Sequence, residues 1–269
     1  NMRKNKKIDS FILAGGLIIV ILMLLSLIGF FYTPYEPNKM DAASKFLAPS
    51  LKHFMGTDHF GRDIFSRVMK GLGTTATVGL SIVVISGTAG AILGLLTGYF
   101  GGIADEIIMR ICDMINGFPS ILLALVFISV LGSGITNVIL ALGIIYIPSF
   151  TRIVRSETIK YRNYDFVKSA RLMGVGSIRI MFVHIFPNIF STFLASVTVG
   201  INNAILAEAG MSYLGIGVNP PAASLGSMLS DAQAYLQSAP WYALGPGLTI
   251  ILMILGFSLL SEGIRRSSC

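Results

Sequence analysis

The sequence predicts an all-α membrane protein with six crossings, and three observations carry that prediction. Of its 269 residues 54% are hydrophobic and only 12% charged, about half the charged fraction of an ordinary soluble domain. The apolar residues gather in uncharged runs of the ~20 residues that a helix needs to cross a ~30 Å hydrocarbon core. Between these runs the basic residues are unevenly shared, as they are where Lys and Arg fix the orientation of a membrane protein. The excess of 20 basic over 13 acidic residues is therefore a topology signal, and it excludes a nucleic-acid-binding role.

The first run, Phe11 to Phe31, follows Arg3, Lys4, Lys6 and Lys7. Its length exceeds the apolar core of a secretory signal and Tyr32-Thr33-Pro34 offers no A-x-A site, so it reads as a retained first helix. The second run, Gly71 to Ala104, is to stop at Gly98, Gly101 and Gly102. Met114 to Thr151 is uncharged with Gly132-Ser133-Gly134 in its middle, which predicts two antiparallel helices and a tight turn. Ile180 to Ala207 is the fifth crossing. The sixth lies within Ala232 to Ser261, with Pro246 as the first residue of a helix running to about Glu262, since a missing N–H costs nothing at that position.

With the amino terminus in the cytoplasm, fourteen Lys and Arg fall inside and six outside, all six in one long first loop. That predicts a multi-pass protein of a prokaryotic cytoplasmic membrane with both termini cytoplasmic. The chain divides into 1–34, the amino-terminal segment and first helix; 35–70, an extracellular loop; and 71–269, five further crossings that include the cytoplasmic loop 152–181. The stretch 209–243, with Pro220-Pro221 and a short amphipathic segment from Met228 to Tyr235, is too broken to face lipid and belongs outside. Trp241 and Tyr242 fit an aromatic belt at the outer interface.

Several chemistries are excluded. Cys112 and Cys269 form no paired spacing, so neither a disulfide framework nor a zinc site is encoded. No G-x-x-x-x-G-K-[ST] loop occurs, so any energy from ATP must come from another chain. His53, His59 and His184 are scattered with no nucleophile elbow or H-E-x-x-H, which argues against a membrane enzyme. A secondary transporter needs coupling-ion groups within the membrane, and Glu208 is the lone acid in a long apolar run. His53, Asp58, His59 and Asp63 offer imidazole and carboxylate but no compact metal-ligand spacing, and His184 reads as an interface hydrogen-bonding residue rather than a proton relay.

Two stretches carry function. In the loop 152–181, Asn163 caps a short helix whose Phe166, Val167, Ala170 and Met173 share one face, Lys168 and Arg171 the other, with Gly174 as its stop. Such a helix either lies on the bilayer surface or docks a cytoplasmic partner. In the fifth crossing Thr192, Ser196, Val199 and Asn203 fall on one face, suited to helix contacts or to a wet cavity. Glu208, close to the outer surface, either tethers that end of the helix or walls a translocation path.

The run Lys168-Ser169-Ala170-(three)-Gly174 with Pro187 thirteen positions further resembles the E-A-A-x3-G-x9-I-x-L-P loop of ABC importer permeases. Lys168 and Ser169 replace its Glu and first Ala, and His184 and Phe186 its Ile and Leu. Gly56-Thr57-Asp58-His59-Phe60-Gly61-Arg62-Asp63-Ile64-Phe65-Ser66-Arg67 resembles the G-T-D-x-x-G-R-D-x-F-S-R signature of the peptide/nickel importer permeases, specifically the C-type partner of their heterodimer. Asp113 to Pro119, His184 to Asn188 and Ala207 to Gly217 extend the likeness, which runs from about Tyr35 to Glu262.

The resemblance implies a six-helix type I importer permease with a cytoplasmic coupling helix. It implies a second permease, two ATPase subunits that bind ATP and Mg, and an extracellular or periplasmic binding protein, with no cofactor, metal or catalysis in this chain. Phe166, Ala170, Met173 and Gly174 would then sit in an ATPase cleft, with Val167, Lys168, Ser169 and Pro187 in the same loop. Gly56, Thr57, Asp58, Gly61, Arg62 and Asp63 would shape the entry to the second helix, Thr57 or Asp58 capping N–H groups and Arg62 reaching a nearby carboxylate. Thr192, Ser196, Asn203 and Glu208 are the translocation-path candidates. The cargo is a peptide or, alternatively, nickel or a metallophore.

Overall fold

The computed structural model describes residues 10–267; the basic residues Arg3, Lys4, Lys6 and Lys7, and Cys269, lie outside them. The helices are α1 (Ser10–Phe31), α2 (Ile64–Phe100), α3 (Gly102–Asn116), α4 (Ser120–Leu131), α5 (Ile135–Tyr161), α6 (Asp165–Leu172), α7 (Ser177–Arg179), α8 (Phe186–Tyr213), α9 (Leu225–Ala232) and α10 (Trp241–Ser267). A π-helical segment, Ile180–Ile185, joins α7 to α8, so that Ser177–Tyr213 is one rod. Five helices are long and apolar enough to cross a membrane, and a sixth crossing is made if the bent pair α3 and α4 counts as one span.

That pair corrects the expected third crossing. At ~1.5 Å per residue the twelve residues of α4 reach only ~18 Å. The uncharged run is cut at Gly117-Phe118-Pro119, and α3 and α4 meet at 92°. Four apolar residues of α3, Ile103, Ile107, Ile111 and Met114, are exposed. The charged side pairs with α5 instead: Arg155 Nε lies 2.5 Å from Asp105 Oδ1, and Arg152 pairs with Asp113.

Other boundaries moved for local reasons. α2 begins at Ile64, not Gly71, because Asp63 accepts the Ser66 N–H at 2.8 Å as its N-cap. Arg67 in its first turn finds partners in the loop, donating to Asn38 Oδ1 at 3.1 Å. Gly98 is not a stop: with Gly90 and Gly94 it forms a ridge at four-residue spacing where α2 touches the backbone of α5, a Cβ on Gly98 standing 2.8 Å from the Arg155 carbonyl. α10 starts at Trp241, whose turn closes on the Pro240 carbonyl (Leu244 N–H, 3.1 Å), and Pro246 sits inside it, forfeiting one bond in the second turn.

The close approaches fix the directions. Ile85, Phe150's partner Gly90, Gly94 and Gly98 ascend in step with Gly143, Phe150, Val154 and Thr158, so α2 and α5 run parallel. α8 runs against α2 (Gly79 on Ile205, Gly87 on Phe193), and α1 runs against α10 (Gly15 on Gly256, Ile12 on Gly263). One end therefore holds the 35–63 loop and the 214–240 segment; the other holds α6. The core follows suit in three clusters: Ile64, Leu72, Met228 and Tyr242 at the loop end; Ile82, Leu142 and Met211 in the middle; Leu95, Val154, Val167 and Met181 at the α6 end.

Candidate functional site

At the loop end, the signature residues build a clamp. Asp58 is fully buried; its Oδ1 accepts the Phe60 and Arg62 N–H groups at 2.8 and 2.9 Å, and its Oδ2 meets Arg62 Nε at 2.5 Å. Thr57 Oγ1 accepts the Leu47 N–H at 2.8 Å and donates to the Ser44 carbonyl. Gly56 and Gly61 have φ of +73° and +76°, and a Cβ on Gly61 would collide with the Asp41 carbonyl, so both positions need glycine. Asp63 caps α2 and also takes His53 Nδ1 at 2.9 Å. Of the four candidate metal ligands His53 and Asp63 pair with each other, Asp58 pairs with Arg62, and His59 packs on Tyr235; no group of three such side chains converges among the described residues.

The clamp reaches across to the 225–242 segment. Arg62 Nη2 lies 3.6 Å from Asp231 Oδ2, His59 stacks on Tyr235 at 5.3 Å, and Gly56 lies under Trp241. Burial pushes the His59 imidazole below its usual range, outweighing the Asp58 and Asp231 carboxylates. Hydrogen bonds from Ser44 and the Ala43 N–H hold the Asp41 carboxyl below its usual range. Trp241 and Tyr242 are therefore packing residues and not a lipid-facing belt; Tyr242 is fully buried.

Glu208 is separated from the other path candidates. Five residues beyond Asn203 on α8 it points away from that stripe by ~140°, and it is fully buried. Its Oε1 accepts the Ser212 hydroxyl at 2.7 Å, and Ser212 Oγ in turn accepts the Val218 N–H at 3.1 Å. Through Ser212 it is linked to the turn after α8, and it is shut off from the groove in this structure.

Thr192, Ser196, Val199 and Asn203 do come together, along a groove of about 290 Å³ whose other walls include Tyr146, Phe150 and Ile153 of α5 and Ser261 of α10. Tyr146 donates to the Asn203 carbonyl at 3.3 Å. Thr192 and Asn203 are exposed, so the groove is open along one flank of the chain. His184, in the π-helical segment, has its carbonyl bonded by Asn188 Nδ2 at 2.6 Å. Pro187, in the first turn of α8, has no N–H to offer Val183, and the chain meets that lack by the wider π register, Phe186 N–H bonding Met181 O.

At the other end, α6 divides its apolar residues. Val167 and Ala170 are buried, packed with Val154, Ile180, Met181 and Ile185 of their own chain. Phe166 is 39% exposed, Met173 75% and Leu172 89%. Ala170 therefore has no surface to give a partner, and Leu172, which the one-face reading passed over, has the most. Arg171 does not stand on a free charged face but lies over the Tyr99 ring at 5.3 Å, and Lys168 pairs with Asp165 at 3.2 Å. Asn163 is not the cap: Tyr164 holds that position without a side-chain bond. Gly174, with φ +77°, ends α6 as its Gly174 and Val175 N–H groups bond Arg171 and Ala170 carbonyls at 3.1 Å.

This chain is similar to proteins of known kind along almost its whole length. It is 37% identical to the dipeptide transport system permease protein DppC of Haemophilus influenzae over 94% of this chain and 88% of that one. To the glutathione transport system permease protein GsiD of Pectobacterium atrosepticum it is 38% identical, over 94% and 84%. Its fold matches a chain of the inward-facing MetNI methionine ABC transporter with a TM-score of 0.61 and 17% identity, over 76% of this chain and 96% of that chain. The arrangement of helices is thus that of a type I importer permease. Residues 90–267 match the family described as binding-protein-dependent transport system inner membrane component, and the chain belongs to that family of multi-pass membrane permeases.

Proposed function

We propose that this chain is one half of the translocation pathway of an ATP-driven importer of di- or oligopeptides. A second homologous permease covers the open flank of the groove, two ATPase subunits bind ATP and Mg at the α6 end, and a binding protein delivers cargo to the 35–63 and 214–240 surfaces. The excess of basic residues around α6 supports a cytoplasmic position for that end and for both termini, in the cytoplasmic membrane of a prokaryote. The names of the relatives favour peptides over the nickel or metallophore cargo that the signature loop also allows.

The observation that carries this reading is the division of α6. Val167 and Ala170 anchor the helix to α5 and to the start of the α7–α8 rod, while Leu172 and Met173 project from it. A force on the projecting residues is passed to Val154 and to Ile180, Met181 and Ile185, on the two helices that wall the groove. α5 moves with α2, because the Gly90, Gly94 and Gly98 ridge leaves no space between them. ATPase closure thereby becomes a change in groove width, and no bond is made or broken by this chain.

Reconstitution with the second permease, the ATPases and the binding protein tests the proposal. ATP-dependent uptake of a labelled dipeptide is expected, with a cysteine at Asn203 becoming protected from a water-soluble maleimide when the second permease is present. Uptake that persists without the ATPase subunits contradicts it.

A further inference from the structure

Apart from the groove, a slot of about 740 Å³ lies between the loop-end halves of α1 and α2, with the start of α5 at its edge. Met23, Leu27 and Phe30 of α1, Met69 and Thr77 of α2 and Ile135 of α5 line it, and Lys70 is its one charged side chain. The hydroxyls of Thr74 and Thr77 donate to the Lys70 and Gly73 carbonyls of their own helix at 3.3 and 2.8 Å, so neither offers the slot a free donor. Met23 to Phe30 and Lys70 to Val78 each cover ~10 to 12 Å along their helices, most of the ~15 Å of one leaflet. Lys70 is exposed at the loop end of this depth, the last charged position before the uncharged run that opens at Gly71, which is the level of the lipid headgroups. Its Nζ donates to the Phe30 carbonyl at 3.2 Å and lies 5.6 Å from the Phe30 ring centroid. The first contact caps the end of α1. It leaves two of the three ammonium donors uncommitted, and no carboxylate among the described residues neutralises the charge.

A slot one leaflet deep, apolar along its length and cationic at the headgroup level, has the polarity of a phospholipid. We propose that it is a binding site for an anionic phospholipid of the leaflet at the loop end, the outer leaflet in the orientation given above. The phosphate of the lipid pairs with the free donors of Lys70, and an acyl chain lies between α1 and α2. Charge complementarity favours this occupant over a helix of the second permease. A protein helix in the slot would have to bring a carboxylate to the one level where Lys70 stands, whereas every anionic phospholipid carries its charge there. The inference stands on the membrane position of the chain and not on its cargo.

Photolabelling of the full complex in nanodiscs, with phosphatidylglycerol that carries a diazirine midway along one acyl chain, tests this. Label is expected on slot residues of α1 or α2. Unlabelled phosphatidylglycerol is expected to displace it at about one fifth of the concentration that phosphatidylcholine needs, the scale of one lysine beside an anionic headgroup. Lys70→Gln is expected to abolish that preference with the unfolding midpoint kept, and Lys70→Arg to retain it. Thr77→Trp keeps the lysine but fills the slot from an exposed position, and is expected to remove the label itself. Displacement by both lipids equally in the wild type, or a preference unchanged in Lys70→Gln, makes the lipid a non-selective neighbour and overturns the proposal. An unlabelled slot, while other lipid-facing residues of the complex take label, shows that the second permease covers it and overturns the proposal as well. If Lys70→Gln lowers the unfolding midpoint, Thr77→Trp decides: label that persists there overturns the proposal.

Discussion

Gly94 of α2 lies directly on the backbone of Thr151 in α5: a Cβ on Gly94 would stand 2.7 Å from the Thr151 carbonyl oxygen. Any side chain there forces the two helices apart. Gly94→Val is expected to destabilise the protein by about 2 kcal/mol or more, read as a lowered midpoint of thermal unfolding in detergent. Gly16 of α1, whose Cβ would meet nothing within 4 Å, is the comparison: Gly16→Val is expected to leave the midpoint almost unchanged. Equal effects of the two would refute close packing as the cause.

Asp58 is the counter-ion of a buried pair. Removing it leaves Arg62 with only the more distant Asp231, at 3.6 Å, and takes from Arg67 the carboxylate 4.0 Å away. Asp58→Ala is expected to cost about 3 to 5 kcal/mol and to expose the 35–63 loop to limited proteolysis. A loop as resistant as the wild type's would show that the clamp does not depend on this charge.

His59 sets a pH dependence. Its folded-state affinity for a proton is depressed by burial, so the unfolded chain binds the proton more tightly and stability rises with pH across the window below the ordinary imidazole value. The contribution is present above about 6.5, the unfolded value, and is lost as the pH falls below it. His59→Phe is expected to flatten the change in unfolding midpoint between pH 7.5 and 5.5; an undiminished slope assigns the dependence to another group.

Glu208 ties its own helix to the turn that follows. Glu208→Gln retains an acceptor for Ser212 and is expected to preserve expression and import, whereas Glu208→Leu leaves the Ser212–Val218 link without its anchor and is expected to lower the unfolding midpoint. Loss of import in Glu208→Gln, with the unfolding midpoint kept, would instead give the carboxylate a part in transport.

How far these features were legible in the residues depended on whether they were local. The Gly56 to Asp63 turn and the Gly174 stop belong to short stretches whose φ requirements and donors lie within a few positions, and both residues show the positive φ that such turns demand. The Thr192 to Asn203 stripe was legible as a helix face because its spacing repeats at one period. What could not be read was set by partners far along the chain. Gly98 looks like a helix stop until Thr158 is seen against it, and Phe166, Val167, Ala170 and Met173 look like one face until Ile180 and Met181 claim two of the four. Charge-free length also misled at Met114 to Thr151, where Pro119 and the pairing of α3 with Arg152 and Arg155 turn part of a presumed span aside.

The most direct test of the account is ATP hydrolysis by the assembled complex in nanodiscs, with and without loaded binding protein, for the wild type and for Leu172→Asp with Met173→Asp. Because both residues project into solvent, the substitution should leave the fold intact while removing the apolar surface proposed to dock the ATPase. The expected result is loss of ATPase co-purification and at least a tenfold fall in binding-protein-stimulated hydrolysis, with the unfolding midpoint of the isolated chain unchanged. Stimulated hydrolysis at the wild-type rate, with the ATPase subunits still bound, would contradict the assignment of α6 as the coupling element.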